Sequence, residues 1–338
     1  MQIINREFLA VESRTCHAST VASYKNQPIY AWFGGTVEGN PDSCIYIQIG
    51  DKVAQLGNHD NIPRWNPILF PYEDKLYLFV KIGVFCDRWQ TLIYDISNLE
   101  DLFRDKPISC QFLPAGLNGP VKTKPLVDGW GGIYCGSSVE TAWAWASYIE
   151  IYSIIDGKFQ IQERSLPLTI EKPSVPTYPY GIIQPAIWKF KGSNDFHAFF
   201  RSSRGIGKIY YSRGEPSDVG TMKWTDPIST NLDNPNSSID VVTVGDRLFL
   251  VHNPSMTRRS PLILSELKGT ETSYSNKFEV INEIFEVIDE IEIRDKVLLS
   301  EPTFTAELSY PYMIEHDGKI HITYTYGRTK IEHVEIEI

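Results

Sequence analysis

The sequence lacks the features that mark membrane and secreted proteins. Its 338 residues contain no apolar run of about 18 residues, the length that a membrane-spanning helix requires. The first residues have neither the basic start nor the apolar segment of a secretory signal peptide. We therefore expect no membrane insertion, and a protein that is cytoplasmic or released without a classical signal peptide.

Positive charge is also in short supply. The chain has 32 Lys and Arg against 42 Asp and Glu, which gives a formal net charge of -10. Nonspecific binding to nucleic acid needs a basic surface that releases counterions. We expect no nucleic-acid partner, although a local basic patch could still bind an acidic polysaccharide.

Cysteine and metal-binding patterns are sparse. The 5 cysteines are an odd number without paired spacing, which favours reduced thiols over disulfides. The 7 histidines are scattered, no Cys-x-x-Cys occurs, and no phosphate-binding loop is present. The sequence predicts no metal and no cofactor, and it leaves the oligomeric state open.

What the chain does contain is a repeated strand pattern. Six segments place alternating aromatic and aliphatic residues after a polar turn, at the spacing of four-stranded propeller blades. These segments are 28–33, 75–80, 132–137, 196–201, 247–252 and 319–324. A second series of short strands follows at 44–47, 90–94, 148–151, 208–211, 261–264 and 329–332.

Because both series number six, they predict an all-β fold, a six-bladed β-propeller formed by residues 1–338 as one domain. We expect a strand near 3–10 to seal the ring by pairing with the last blade. The acidic stretch 276–296 is expected to be an insertion or a strand pair.

The stretch from Leu308 to His333 shows the pattern most clearly. Asp317-Gly318 lies between two apolar alternations, which is a strong signal for a β-hairpin. Tyr310 is therefore predicted to lie in a strand rather than in a loose loop.

The chain resembles the sialidase-like BNR/Asp-box repeat family over nearly its whole length. The resemblance rests on the order and spacing of several short motifs rather than on any one of them. They are Cys16–Thr20, Ala31–Gly39, Trp65–Phe70, Gly119–Pro125, Gln184–Pro185, Arg201–Arg204, Asn234–Asp240, Arg259–Leu262 and Ser309–Pro311. The turn from Ser217 to Trp224 resembles a degenerate Asp-box, which supports the fold and says nothing about activity.

The resemblance implies roles for particular residues. Sialidases use a Tyr nucleophile, an Asp acid/base and three arginines that bind the substrate carboxylate. Tyr310 matches the nucleophile and Asp42 the acid/base, while Arg201 and Arg259 look like the second and third arginines. A neutral phenol is repelled less by an anionic sugar than a carboxylate would be, and guanidinium groups bind carboxylates bidentately.

Two positions depart from the family pattern. Cys16-His17-Ala18 stands where sialidases carry the first arginine, and the segment after Gln184-Pro185 has no clear match for the activating Glu. His17 becomes a second candidate for catalysis, and Glu38 is a candidate partner of Asp42 or a second carboxylate. Further candidate substrate contacts are Arg64, Asn66, Lys122, Lys124, Gln184, Arg204, Asn236, Asp240 and Tyr326.

The resemblance implies a sialidase-like glycoside hydrolase that acts on a terminal acidic sugar, sialic or uronic acid, of an oligosaccharide or polysaccharide. A polysaccharide lyase that cleaves beside a uronate by β-elimination is an alternative, with His17 or Tyr310 as base and cationic side chains neutralising the carboxylate. A noncatalytic glycan-binding propeller is a third, because the first arginine and the activating Glu are missing.

Overall fold

The chain divides into two compact units. The computed structural model describes residues 1–57, 60–104, 107–174, 176–217, 221–269, 285–298 and 303–338. The terminal unit comprises Gln2–Lys124 and Val297–Ile338, and the middle unit comprises Met1 and Pro125–Lys296.

Both units are built from strands. The first strands are β1 (Gln2–Phe8), β2 (Thr15–Tyr24), β3 (Gln27–Gly35), β4 (Cys44–Ile49), β5 (Lys52–Leu56), β6 (Arg64–Tyr72), β7 (Lys75–Ile82), β8 (Gln90–Asp95), β9 (Cys110–Phe112), β10 (Leu126–Val127), β11 (Ile133–Glu140), β12 (Ala144–Ile155) and β13 (Lys158–Arg164). They are followed by β14 (Tyr180–Trp188), β15 (Phe196–Ser202), β16 (Lys208–Pro216), β17 (Met222–Trp224), β18 (Ile228–Asp233), β19 (Asp240–Val244), β20 (Arg247–His252), β21 (Leu262–Gly269), β22 (Phe285–Arg294), β23 (Leu308–His316), β24 (Lys319–Tyr326) and β25 (Lys330–Glu337).

Helical structure is minor. Within the described ranges, the helices are two 3₁₀ turns, Cys86–Arg88 and Leu99–Phe103. Neither has the length or the apolar character that crossing a membrane would require. The prediction of an all-β fold is confirmed.

The terminal unit contains three antiparallel sheets of four strands. Strands β2 to β5 form one sheet and β6 to β9 form another, each in sequence order. The third has the order β1-β25-β24-β23, so the first strand of the chain is hydrogen-bonded to the last, with Gln2 opposite Glu337 and Phe8 opposite Glu332. The predicted pairing of the N-terminal strand with the last sheet is confirmed.

The middle unit contains one four-stranded and one nine-stranded sheet. Strands β19 to β22 form the smaller sheet in sequence order. The larger one consists of two antiparallel parts, β10 to β13 and β14 to β18, joined by a short parallel bridge in which Ala144 and Trp145 face Tyr180 and Gly181.

Both predicted strand series are observed. Apart from Gly132, which precedes β11, each first-series segment lies in the second strand of an antiparallel meander. Apart from Pro261 and Thr329, which precede β21 and β25, each second-series segment lies in the strand that follows it. Strand β22 accounts for 285–294 of the acidic stretch, while 276–284 lie outside the described residues, as do 218–220 of the Asp-box turn. The five cysteines, all of which are described, are free thiols in the structure.

The inner strands are buried on both faces, which explains their nearly continuous apolar character. In β7 every residue after Lys75 is buried, and Trp32, Phe79, Phe199 and Phe249 are among the largest fully buried side chains. Burial of one such side chain stabilises the fold by about 1.5–3 kcal/mol. The alternation of aromatic and aliphatic residues therefore indicates the ends of these strands. It does not identify a face that is exposed to solvent.

The first strands of four meanders carry the same irregularity. Their register shifts at Ala18 in β2, Asn66 in β6, Gln184 in β14 and Tyr310 in β23, and each of these residues has a positive φ. A bulge reorients the side chains beside it, and such bulges are common next to functional sites. Four of the sequence motifs therefore coincide with a recurrent bulge.

Candidate functional site

Tyr310 lies at the bulge of β23 in the terminal unit. Its φ of 54° is a left-handed conformation that a bulky residue rarely adopts. Leu308 and Ser309 before it are buried, whereas the side chain of Tyr310 remains partly accessible. Strain of this kind is characteristic of functional positions. The structure thus presents Tyr310 at an irregular point of an otherwise buried strand.

His17 packs directly against Tyr310. The two ring centroids lie 4.0 Å apart with the ring planes inclined by 47°. His17 is 2% exposed, and its Nδ1 lies 2.9 Å from Thr325 Oγ1. The ring of Phe33 packs nearly perpendicular to the imidazole, with 5.8 Å between the ring centroids. The structure therefore brings together two predicted catalytic residues that are almost 300 positions apart in the chain.

Lys122 supplies a buried positive charge beside this pair. It is 1% exposed, and its Nζ donates to Pro311 O at 3.2 Å. The same Nζ lies 5.9 Å from the ring centroid of Tyr310 and 5.0 Å from that of Tyr312, and Lys124 approaches Tyr312 at 5.4 Å. Both lysines reach the ring of Tyr312, and residues 121–123 form a bend rather than a strand. Lys122 is therefore a buried member of this cluster rather than a solvated surface residue.

Arg328 is a member of this cluster that the sequence analysis missed. It lies in the turn between β24 and β25 with a φ of 63°, and it forms ion pairs with Glu38 and Glu307. Burial lowers the pKa of Arg328, but the charges of Glu38, Glu307 and Tyr310 together outweigh burial and hold it above its usual value. Its place beside Gly327, inside the stretch that contains Tyr310, was the available sequence signal.

We expect Arg328→Met to lower the free energy of unfolding by about 2 kcal/mol, because it leaves the partly buried Glu307 without its ion-pair partner. Urea unfolding of Arg328→Met, Glu307→Gln and the double variant measures this coupling. The double variant should recover part of the loss. Strictly additive effects of the two single changes would contradict the prediction.

Asp42 and Glu38 belong to the loop after β3. Asp42 is exposed, and its two carboxylate oxygens accept hydrogen bonds from the backbone N and the Oγ1 of Thr36 at 2.8 and 3.1 Å. Glu38, with 43% of its side chain exposed, is held by Arg328. Asp42 therefore stabilises the conformation of its own loop through these hydrogen bonds. Glu38 links that loop to the turn after β24 through its ion pair with Arg328.

Asp42→Ala should lower the free energy of unfolding by about 1 kcal/mol, since both hydrogen bonds from Thr36 are lost. Asp42→Asn, which keeps one acceptor oxygen and the size of the side chain, is the matched control and should lose less. Thermal or urea unfolding compares the two. Equal losses would show that the carboxylate does not hold the loop.

Three other predicted residues of the terminal unit have packing or pairing roles. Arg64 is 5% exposed, and its Nη1 and Nη2 donate to the carboxylate of Asp60 at 3.0 and 2.6 Å. Asn66 occupies the bulge of β6 and is 4% exposed. Tyr326 is fully buried, its ring packs edge-to-face with that of Phe8, and its hydroxyl accepts a hydrogen bond from the backbone N of Leu298 at 2.6 Å.

In the middle unit the structure brings Arg201 and Gln184 together. Arg201 is 4% exposed, its Nη1 donates to Gln184 Oε1 at 3.1 Å, and its guanidinium carbon lies 5.4 Å from the ring of Trp145. Because the bulge of β14 sets the position of Gln184, that bulge also orients the guanidinium of Arg201.

Arg259 makes a separate contact in the same unit. Its Nη2 donates to the backbone O of Asn236 at 2.7 Å, and Asn236 has a φ of 63°. Asp240 is 1% exposed, with Oδ1 accepting from the backbone N of Val241 at 3.0 Å, whereas Arg204 lies in an exposed turn. Carboxylate binding by Arg201 and Arg259 stays a prediction.

Comparison with known proteins gives the family and the fold. A BNR repeat-like domain matches residues 28–322, and no curated protein matches the chain in sequence. A protein of unknown function from Dyadobacter fermentans DSM 18053 is similar in structure, with a TM-score of 0.70, 12% identity, and coverage of 100% of this chain and 99% of that one.

Two further solved structures are similar to this chain. Trypanosoma rangeli sialidase in complex with the inhibitor DANA has a TM-score of 0.60 and 11% identity, covering 96% of this chain and 55% of the sialidase, so this chain spans about half of that length. A subtype N10 neuraminidase-like protein of A/little yellow-shouldered bat/Guatemala has a TM-score of 0.54 and 8% identity, with both chains covered completely. The chain therefore belongs to the BNR repeat-like domain family and has the fold of sialidases and neuraminidases.

Proposed function

We propose that this protein is a sialidase-like glycoside hydrolase that removes a terminal acidic sugar, sialic or uronic acid, from a glycan. The observation that carries the proposal is the contact between Tyr310 and His17, with the cationic side chain of Lys122 beside the phenol ring. A nucleophile is activated by an adjacent base, and cations near the reacting centre stabilise the anionic groups there. The family and the fold support the substrate class.

In this mechanism the Oη of Tyr310 forms a bond to the anomeric carbon while the glycosidic C–O bond breaks. Asp42 donates a proton to the leaving oxygen, and His17 or Glu38 accepts the proton of the phenol. Water then attacks the anomeric carbon of the glycosyl–tyrosine intermediate and gives a proton to Asp42, while the bond to Tyr310 breaks and His17 or Glu38 returns the phenol proton to its Oη. Arg201 and Arg259 are proposed to bind the sugar carboxylate, as the family resemblance implies.

We also propose that the strand meanders are the six blades of one propeller domain. Support comes from the two series of six strands in the sequence and from the pairing of β1 with β25. That pairing completes the last sheet with a strand from the opposite end of the chain, as ring closure requires.

The same contact also favours a second candidate, a lyase. Removal of the C5 proton of a uronate needs a base and a cation that neutralises the carboxylate, and Tyr310, His17 and Lys122 offer both. The two reactions differ in their products, because elimination leaves an unsaturated uronate that absorbs in the ultraviolet.

The experiment is incubation with a panel of sialylated and uronate-containing oligosaccharides, followed by assays of released sugar and of ultraviolet absorbance. Released sugar without new absorbance supports the hydrolase, and new absorbance supports the lyase. Saturable binding without product would indicate a glycan-binding module. Absence of both binding and product across the panel would overturn the proposed function.

A further inference from the structure

Three side chains on the hairpin of β24 and β25 form a group that the sequence analysis did not find. His321 lies directly opposite Glu335 in the register of the two strands, and His333 lies two residues before Glu335. Alternate residues of a strand share a face, so the three side chains project from the same face of the sheet. One ligand atom from each lies within 4.8 Å of the other two.

The two imidazole rings are arranged for joint coordination. They are nearly parallel, at 4°, and Nδ1 of His321 lies 3.1 Å from Nε2 of His333. Two nitrogens that each bind a tetrahedral Zn²⁺ at 2.0–2.1 Å are about 3.3 Å apart. An ion could therefore replace the proton between these nitrogens once the two rings tilt so that both nitrogens point at it.

The other ring nitrogen of His333, Nδ1, contacts two polar groups that hold the ring in its orientation. Its Nδ1 lies 3.0 Å from Oε1 of Glu7 and 3.1 Å from the hydroxyl oxygen of Tyr30. A proton on Nδ1 that is donated to Glu7 leaves the lone pair on Nε2, facing His321. A carboxylate behind a ligating histidine is the usual outer partner of a metal site, where it fixes the tautomer and the ring orientation.

Glu335 has other partners that an ion must displace or share. Its Oε1 accepts from Nδ2 of Asn5 at 3.1 Å, and its Oε2 lies 3.5 Å from Nζ of Lys319. Lys319 is 41% exposed, and an exposed ion pair contributes little to stability. Lys319 can therefore move into solvent at small cost when a divalent ion neutralises the carboxylate.

We propose that His321, His333 and Glu335 bind a divalent transition-metal ion, with Zn²⁺ as the preferred ion, across the last two strands of the chain. Two imidazoles and one carboxylate suit Zn²⁺ among the common ions, whereas Ca²⁺ and Mg²⁺ prefer oxygen ligands. The site clamps β24 to β25 and is independent of the proposed glycan chemistry.

The test uses the full chain without a histidine tag, stripped of metal by a chelator. Calorimetry measures Zn²⁺ binding, and the visible absorption of Co²⁺ reports the ligand geometry. We expect one ion per chain, with affinity reduced at least about tenfold in His321→Gln, His333→Gln and Glu335→Gln. Zn²⁺ should also raise the thermal unfolding temperature of the unmodified chain.

His316→Gln is the matched control. Its ring centroid lies 6.1 Å from that of His321, but its Nε2 contacts Oγ of Ser23 at 3.1 Å, outside the ligand group. This variant should keep the affinity of the unmodified chain. Should the histidine variants fail to fold, Glu335→Gln and the imidazole ¹⁵N shifts of the unmodified chain still decide the matter. No saturable Zn²⁺ binding, or binding that none of the three variants weakens, would overturn the proposal.

Discussion

Replacement of Tyr310 by phenylalanine is expected to lower turnover of an acidic glycan by roughly 10³-fold or more, because it removes the only atom proposed to attack the anomeric carbon. The rest of the side chain is retained, including its contact with the ring of His17. Phenylalanine can adopt the φ of 54° at the same cost as tyrosine, so the bulge should persist. The measurement is kcat/KM for the substrate that the oligosaccharide panel identifies.

Tyr72→Phe is the matched control for this change. Tyr72 ends β6 and its ring stacks on Phe70 at 5.7 Å, so loss of its hydroxyl tests the removal of one phenol oxygen outside the cluster. Turnover should then match that of the unmodified protein. A Tyr310→Phe variant with full activity would exclude Tyr310 as nucleophile or base, whichever sugar is cleaved.

The second large effect concerns stability in mild acid. His252 is 3% exposed with its Nε2 3.3 Å from Ser265 Oγ, and His197 is 4% exposed with its Nδ1 2.8 Å from Tyr211 Oη. Burial lowers the pKa of both imidazoles to about 4, despite the opposing charges of Asp233 near His252 and Asp195 near His197; Arg213 adds to the lowering for His197.

The direction of this pH effect follows from the number of protons that the two histidines bind in the folded and in the unfolded protein. In the unfolded chain these histidines take up protons as the pH falls below about 6.5, while in the folded protein they stay neutral until about pH 4. Their contribution to stability is therefore complete above pH 6.5 and is lost as the pH falls toward 4. By pH 5 each histidine should cost about 2 kcal/mol.

Urea unfolding between pH 7.5 and pH 4.5 measures this loss. The pKa of His321 is also lowered, by burial and by the charge of His333, so its effect on stability has the same sign. Asp60 and Glu266, whose carboxyl pKa values are held down by Arg64 and Arg247, lose their stabilising effect only at lower pH. The histidine effect can therefore be separated from ordinary acid unfolding.

His252→Asn serves as the control, since it should reduce the slope of stability against pH even if it lowers stability at every pH. An NMR titration that gave either buried imidazole a pKa near 6.5 in the folded protein would contradict the assignment. So would a free energy of unfolding that stays constant from pH 6.5 to pH 5.

The sequence predicted the strands well because their signal is local. Alternating residues such as those of 75–80 and 319–324 define a strand without reference to the rest of the chain. The hairpin at Asp317-Gly318 was equally readable, and both residues have the positive φ that its turn requires.

The candidate site was only partly predictable, for physical reasons. Tyr310 and His17 were found through motifs, but their contact depends on packing between strands almost 300 residues apart. Arg328 was missed because its partners, Glu38 and Glu307, lie 290 and 21 positions away. The group at His321 needed the exact strand register, which alternation alone leaves undetermined.

The bulges show a similar limit. Proline follows Asn66, Gln184 and Tyr310, and this recurrence of proline was visible in the sequence. It does not reveal that the residue before proline has a left-handed backbone, since that residue ordinarily favours extended conformations. Tertiary structure overrides the local preference at these points.

The pairing of β1 with β25 has a consequence for how the protein matures on the ribosome. Residues 2–8 are synthesised more than 300 positions before residues 330–337, their hydrogen-bonding partners. At roughly 5–20 residues per second, the nascent strand waits on the order of 15–60 s for its partner. Throughout that interval the backbone groups of β1 can form hydrogen bonds with β25 of a neighbouring chain whose synthesis is further advanced. Crowding of chains on a polysome should therefore favour strand-swapped dimers.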